Sequence, residues 1–368
     1  MDRKPNVQSA EVVLPCTELS ETLAFFVETL GFRVDTIFPA DDPSVAVVSG
    51  YGTRIRLERS DRGGGGVVRL TCDHPDALAG GKTSLMAPGG LVIELVAADA
   101  VDVVPPNKPS FVLSKIRDPS AWIVGRAGMR YRDLIPGRQG GRFIASHIQI
   151  VEGGAVPDYV HFHKVRFQMI YCYQGWVRVV YEDQGPSFVL DAGDCVLQPP
   201  QIRHRVLECS AGVEVIEVGC PAEHATHADH QMALPTKQVR VHREFHGQRF
   251  VRHVAHAAQW QPWRCSGFEF RDTGIGDATD GLAGARIVRW QPSRMDSLPL
   301  LAYRADLEFL FTFVLQGSVS LQREKHALER LQAGDCFTMP AGQRYGMTEC
   351  SNDLEFLEVS LPGVVEGS

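Results

Sequence analysis

The opening stretch of the chain carries a mixed pattern of apolar and polar positions. Glu11-Val12-Val13-Leu14-Pro15 is a short apolar run, whereas 21–30 sets Leu23, Phe25, Phe26, Val27 and Leu30 at helical spacing. Gly31 follows as a closing cap, and Phe32-Arg33-Val34 begins another extended run. Strands predicted over 44–48 and 53–58 complete a β-α-β-β-β unit. A second module over 67–97 is too short for an equivalent helix.

Val103-Val104-Pro105-Pro106-Asn107-Lys108-Pro109 breaks the chain, and beyond it the texture changes. Short alternating segments such as 176–181 and 213–218 are separated by Gly, Pro, Asp and Ser turns, with no helical periodicity of useful length, which predicts an all-β sandwich or barrel. This part also repeats itself. Asp191-Ala192-Gly193-Asp194-Cys195 returns as Gln332-Ala333-Gly334-Asp335-Cys336, Leu207-Glu208-Cys209-Ser210 as Thr348-Glu349-Cys350-Ser351, and Met129-Arg130-Tyr131-Arg132-Asp133 as Phe268-Glu269-Phe270-Arg271-Asp272. A period of about 140 residues is a duplicated domain, far too long for a solenoid. The expected organisation is therefore 1–102, 103–235 and 236–368, with 222–236 as the connector between the two related halves.

Composition narrows the function classes. A net charge of -7 with scattered Lys and Arg argues against a nucleic-acid partner. No run approaches the ~20 apolar residues of a membrane span, and no apolar signal core follows the N-terminus, so a cytoplasmic protein is expected. Nine cysteines without a CxxC pair read as reduced core thiols. The glycine run 61–66 lacks the Lys-Ser/Thr that completes a phosphate-binding loop.

The candidate chemistry sits in the first half of the repeat. Side chains alternate along a strand, so His161 and His163 point the same way, and a turn after them can return Gln168 to their side. His204, on a later strand, adds a third imidazole, giving three nitrogen donors and one amide oxygen. Such a set suits Fe, Mn, Co, Ni, Cu or Zn and suits Mg or Ca poorly. Alternation from Gln168 puts Ile170 and Cys172 on the inner face, and alternation from His204 puts Val206 and Glu208 there, a mainly apolar lining for a small substrate. Lys164 and Arg166 stand in the turn near the mouth, as anion-orienting groups or as a solvated turn. His147 and Glu208 are the acid–base candidates, with a hydrogen-bonded structural role the alternative for His147. His224, His227 and His230, spaced by three, suggest a cluster but lack the flanks of a known site.

The motif Gly154, His161, His163, Gln168, Gly175, followed by Gly193, Pro199 and His204, resembles the two cupin motifs. The resemblance spans about 115–362 and implies two jelly-roll β-barrels, the first binding a metal through His161, His163, His204 and Gln168, where the family usually has Glu. In the second half Tyr303, Ala305, Leu310 and Tyr345 stand at the four ligand positions, so that barrel is expected to hold no metal. The N-terminal unit, with Thr22-Leu23-Ala24-Phe25-Phe26-Val27-Glu28-Thr29-Leu30-Gly31-Phe32, resembles one module of the vicinal oxygen chelate superfamily, a glyoxalase-like fold. Glu11 and Glu94 match outer ligand positions of that family, with Arg56 between them, so a scaffold or dimerising role is expected. The fold class is thus mainly β, two cupin barrels preceded by a small α+β domain. The resemblance implies a metal-dependent dioxygenase, Fe2+ first with Mn, Ni, Cu or Zn behind it, taking a small oxygenated substrate and O2. A non-redox isomerase or lyase and a non-catalytic ligand-binding bicupin stay open, as does assembly into a homo-oligomer.

Overall fold

The computed structural model describes residues 7–29, 31–50, 52–60, 67–75, 77, 80–86, 92–98, 104–117, 122–291 and 307–363. Leu30, the glycine run 61–66, Tyr303 and Ala305 lie outside the described residues. The chain divides into two compact units, one of 1–103 with 161–164 and 224–231, the other of 104–160, 165–223 and 232–368.

In the first unit the β-α-β-β-β order is observed. Strand Val7–Cys16 leads into helix Leu19–Ala24, a wider turn Phe25–Thr29, and strands Arg33–Phe38, Val45–Gly50 and Thr53–Arg59. The last strand returns parallel to the first, with Val12 opposite Ile55. Gly31 adopts φ +72°, and the Phe32 N–H donates to the Phe26 carbonyl at 2.9 Å, so the glycine ends the helix as expected. Leu19, Ala46 and Leu57 form the small core under the helix, with Leu14, Leu23, Phe26 and Ile55 against it. Strand Thr226–Ala228, inside the stretch expected to be a plain connector, pairs with Arg33–Phe38 and also with His161–Phe162.

The second unit contains the duplicated β-structure. In the first half Val213–Cys220 lies between Ile144–Ile150 and Phe167–Gln174, and Trp176–Tyr181 lies between Phe188–Asp191 and His204–Cys209. The second half repeats this with Glu355–Leu361 between Gly284–Trp290 and Phe309–Gln316, and Ser318–Arg323 between Glu329–Gln332 and Tyr345–Thr348. The turns repeat as well. Gly175 and Gly317 both sit at φ +71°, and a Cβ on either would collide with Ser210 or Ser351, whose hydroxyl oxygens accept from the Trp176 and Ser318 N–H at 3.0 and 2.8 Å.

Each half closes on its own core. Cys172, Val177, Val179, Tyr181, Val196 and Val213 cluster in the first, and Leu310, Val314, Phe337, Met339, Tyr345 and Phe356 in the second. The opposite sheet faces pack on each other. Phe167, Met169, Ile216 and Val218 meet Phe309, Phe311, Phe313 and Leu357, with the Phe143 and Phe309 rings stacked at 4.2 Å. Burial of each such Phe or Leu stabilises the fold by about 1.5–3 kcal/mol. Because both faces of the central strands are buried, Phe309–Gln316 is apolar almost throughout instead of alternating. Each half also lends a strand to the other. Val112–Ser114 pairs with Cys336–Thr338, and Val251–His253 with Cys195–Leu197. Among the described residues no helix is long and apolar enough to cross a membrane.

Candidate metal centre

The His161–Phe162 strand is short, and its alternation separates its residues cleanly. Phe162 stacks on His227 with ring centroids 5.1 Å apart, while His161 and His163 lie 5.3 Å apart edge to face. One ligand-capable atom from each of His161, His163 and His204 falls within 4.8 Å of the other two, and all three residues are buried. The Nδ1 of His163 is 3.1 Å from the Ala225 carbonyl, and that of His204 is 3.1 Å from the Ile202 carbonyl. A carbonyl only accepts, so both protons reside on Nδ1 and each Nε2 carries its lone pair. This is the usual arrangement behind a metal-bound imidazole. Burial lowers the pKa of His204 to about 4, a shift that its bond to Ile202 and the charge of Asp158 only partly oppose. The residues present therefore fit a divalent transition ion: buried, mutually close imidazoles with two tautomers already selected.

The remaining predicted residues separate into those on the inner wall and those elsewhere. Gln168 is buried, and its Nε2 donates to Glu217 Oε1 at 2.6 Å. Ile170, Cys172 and Val206 belong to the interior cluster of this half, as alternation predicts. Burial pushes the Cys172 thiol up to about 12, which keeps it an apolar lining group instead of a thiolate. Lys164 is exposed. Arg166 is a correction to the mouth assignment: its Nη1 donates to both Glu308 oxygens, at 2.8 and 3.1 Å, tying the two halves together.

Glu208 and His147 are further corrections. The pairing between Trp176–Tyr181 and His204–Cys209 shifts register, so Val206 faces Val179 whereas Glu208 faces Arg178 and Cys209 faces Val177. Leu207 is the extra residue of a bulge, which reverses the alternation beyond it and turns Glu208 outward to Arg178 at 2.5 Å. His147 stands opposite Ile216 on the face shared by the two halves, not on the face of Ile148 and Cys172. Its Nε2 is 2.7 Å from Glu214 Oε2, and Trp122, Tyr173 and Phe313 pack edge-on around it. Its alternative reading, a hydrogen-bonded structural histidine, matches this placement. Of the connector histidines, His224 packs 5.0 Å from His163, His227 lies under Phe162, and His230 bonds the Val34 carbonyl, so the three do not converge.

Two carboxylates at the site have no signal in the motif spacing. Asp158, whose side chain is fully buried, pairs with Arg126 and accepts from the Val206 N–H at 2.9 Å, fixing the strand that carries His204. Burial opposes the Arg126 charge, but Asp158 holds it well above its ordinary value. Glu217 lies opposite both Ile170 and Ser146 on the inner wall.

The second half of the repeat and the N-terminal segment supply comparisons within one chain. In the second half Leu310 and Tyr345 fill the interior where Gln168 and His204 stand in the first. In the N-terminal domain Glu11 and Glu94 do approach each other, but around Arg69. Its Nε donates to Glu94 at 2.8 Å, and Glu11 and Glu58 lie 3.7 and 3.6 Å from its guanidinium. A guanidinium thus occupies the place a cation would take. Among the described residues, the group of His, Cys, Asp or Glu able to hold an ion is His161, His163 and His204.

No family model and no curated protein matches the chain in sequence. Solved structures do match in shape. Protein Ylba from E. coli is similar over 72% of this chain and 96% of its own, at 12% identity and a TM-score of 0.51. The oxalate decarboxylase formate complex from Lactobacillus farciminis is similar over 72% and 91%, at 15% identity and a TM-score of 0.51. Salicylate 1,2-dioxygenase from Pseudoaminobacter salicylatoxidans matches over 71% and 84%, at 14% identity and a TM-score of 0.49. The likeness of the first two establishes the fold and, at these identities, the fold alone: mainly β, with two cupin jelly-roll barrels in one chain.

Proposed function

We propose that the first barrel is the active centre of a metal-dependent oxidoreductase, a dioxygenase acting on a small oxygenated substrate such as an aromatic acid, enol or diketone. The observation that carries this reading is the convergence of His161, His163 and His204, buried, with the protons of His163 and His204 already turned away onto carbonyls. Gln168 would serve as a fourth, neutral donor through its amide oxygen. When bound, a redox-active divalent ion, Fe2+ first and Mn, Ni or Cu behind it, would supply Lewis acidity and electrons to substrate and O2, whereas Zn would supply Lewis acidity alone.

The chain's own residues do the rest. His204 stays neutral at physiological pH and keeps its lone pair for coordination. Ile170, Cys172 and Val206 give the substrate an apolar wall that excludes bulk water. Asp158 and Arg126 hold the His204 strand in place without reaching into the reaction. The N-terminal domain serves as a vicinal-oxygen-chelate-like scaffold without an ion of its own, since Arg54, Arg56 and Arg69 pair with its carboxylates. The eight cysteines with described side chains are free thiols, in keeping with a reducing, cytoplasmic setting.

Oxygen-independent carbon–carbon lyase chemistry is a second reading. The neutral ligand set favours it, because it leaves a bound ion more Lewis acidic than a set containing a carboxylate. Elemental analysis of protein purified without added metal tests the shared premise, and oxygen uptake by the iron-loaded protein with phenols, enols, diketones and small dicarboxylic acids separates the readings. Stoichiometric metal that is lost in His204→Ala, with substrate-dependent oxygen uptake, supports the dioxygenase. Substrate loss without oxygen uptake selects the lyase, and retention of metal in His204→Ala overturns the ligand assignment.

A further inference from the structure

We propose that Glu217 supplies the negative charge that the ligand set lacks, acting as a positioning residue that orients Gln168 toward the bound ion. The inference rests on His161, His163 and His204 being the metal ligands. Three neutral imidazoles and a neutral amide would leave a divalent ion with no anionic partner in a largely dry barrel, an arrangement disfavoured by desolvation.

The geometry identifies the missing partner. On Val213–Cys220, Val213 and Val215 belong to the interior cluster while Ile216 and Val218 belong to the layer between the halves, so Glu217 faces the same interior as Ile170. Gln168 Nε2 donates to Glu217 Oε1 at 2.6 Å. A carboxylate only accepts, so the NH2 end of the amide must face Glu217, which leaves Oε1 as the end available to an ion. The pair therefore settles which way Gln168 points.

The second half shows what this carboxylate needs when no ion is present. Glu358 occupies the equivalent place, opposite Thr312 as Glu217 is opposite Ile170, and it is almost fully buried. There Gln168 is replaced by Leu310, and Arg264 has become the partner of Glu358, with Nη1 donating at 2.7 Å. Among the described residues Glu217 forms no ion pair; its partner is the neutral amide of Gln168. At this one position the carboxylate thus takes an arginine in the barrel that lacks the ligand histidines and an amide in the barrel that has them. The compensating cation for Glu217 is the metal.

The decisive experiment measures Co2+ affinity of the full chain by chelator competition, together with the Co2+ visible spectrum and the thermal midpoint of each metal-free protein. Glu217→Gln, nearly isosteric, is expected to weaken Co2+ binding by about 10- to 100-fold, the range for removing a partner of a metal ligand. The double variant Q168E/E217Q, which moves the carboxylate to the ligand position, is expected to recover most of that loss. Unchanged affinity in Glu217→Gln, or a double variant as weak as the single one, overturns the proposal. His204→Ala separates the two levels of inference. If it loses Co2+ while Glu217→Gln matches the unaltered protein, the metal centre stands and Glu217 has no part in it. If the unaltered protein itself does not bind Co2+, both fall.

Discussion

Asp194 and Asp335 perform the same task in opposite directions. Each uses Oδ2 to hold its own turn, accepting from the Asp191 N–H at 3.2 Å and the Gln332 N–H at 2.9 Å. Each uses Oδ1 to hold a segment of the other half: Asp194 accepts from the Ala255 N–H at 2.8 Å, and Asp335 from the Ile116 N–H at 2.7 Å. Beside these contacts the exchanged strands pair, Ser114 with Cys336 and His253 with Cys195.

Asp335→Ala leaves two N–H groups without their acceptor. The expected loss is about 1–3 kcal/mol per stranded group that stays dry, read as a lower urea midpoint, together with earlier proteolysis within 104–117. An unchanged midpoint and cleavage pattern would show that Asp335 does not hold the exchanged segment.

Glu208 and His147 provide a paired test of the corrected site. Glu208→Ala, at the outward side of the bulge, is expected to leave metal content unaltered and stability within about 0.5 kcal/mol. His147→Ala removes a buried partner of Glu214 and is expected to cost about 1.5–3 kcal/mol while metal stoichiometry stays intact. Loss of metal in either variant contradicts the placement of these side chains outside the centre.

Acid should loosen the contact between the two halves through Glu308. Burial pushes its carboxyl up, but hydrogen bonds and charge from Arg166 and Arg142 outweigh that, and the pKa sits below its ordinary value. A carboxylate depressed in the folded state stabilises it above the unfolded pKa of about 4.3, and that contribution vanishes as pH falls through the lower folded value. The stability gap between the unaltered protein and Glu308→Gln should therefore be present at neutral pH and close below about pH 4. A gap independent of pH would mean that the ion pairs contribute nothing to it.

In the N-terminal domain, Arg69→Met removes the cation paired with Glu94 and shared with Glu11 and Glu58, while Arg54 still pairs with Glu11 and Arg56 with Glu58. Because these groups are partly solvated, the expected loss is modest, about 1 kcal/mol, seen as a lower thermal midpoint that added salt partly restores by screening. A loss insensitive to ionic strength would point to packing instead of charge.

Much of this architecture is legible in local pattern and much is not, for definite reasons. His161, His163 and His204 can be read from the sequence because strand periodicity fixes which side chains share a face, and Gly31 because it meets the backbone requirement of a helix end. Glu208 escapes the same logic, since a bulge at Leu207 depends on cross-strand register. His147 is ambiguous because both faces of Ile144–Ile150 are buried, which removes the polar-out signal. Glu217 stays hidden because it is neither in the motif nor near it in sequence; only the pairing of Val213–Cys220 with Phe167–Gln174 brings it beside Gln168.

The exchange of strands between the halves also bears on dissection of the molecule. Cut at 235/236, the fragment with the histidine cluster would lose the strand that closes its sheet beside Cys195 and would keep one that belongs against Cys336. The two pieces should behave as complementing fragments, poorly soluble apart and regaining the native fold when mixed. This gives the ligand-poor half a reason to persist: it is the permanent dimerisation partner of the other, carried on the same chain.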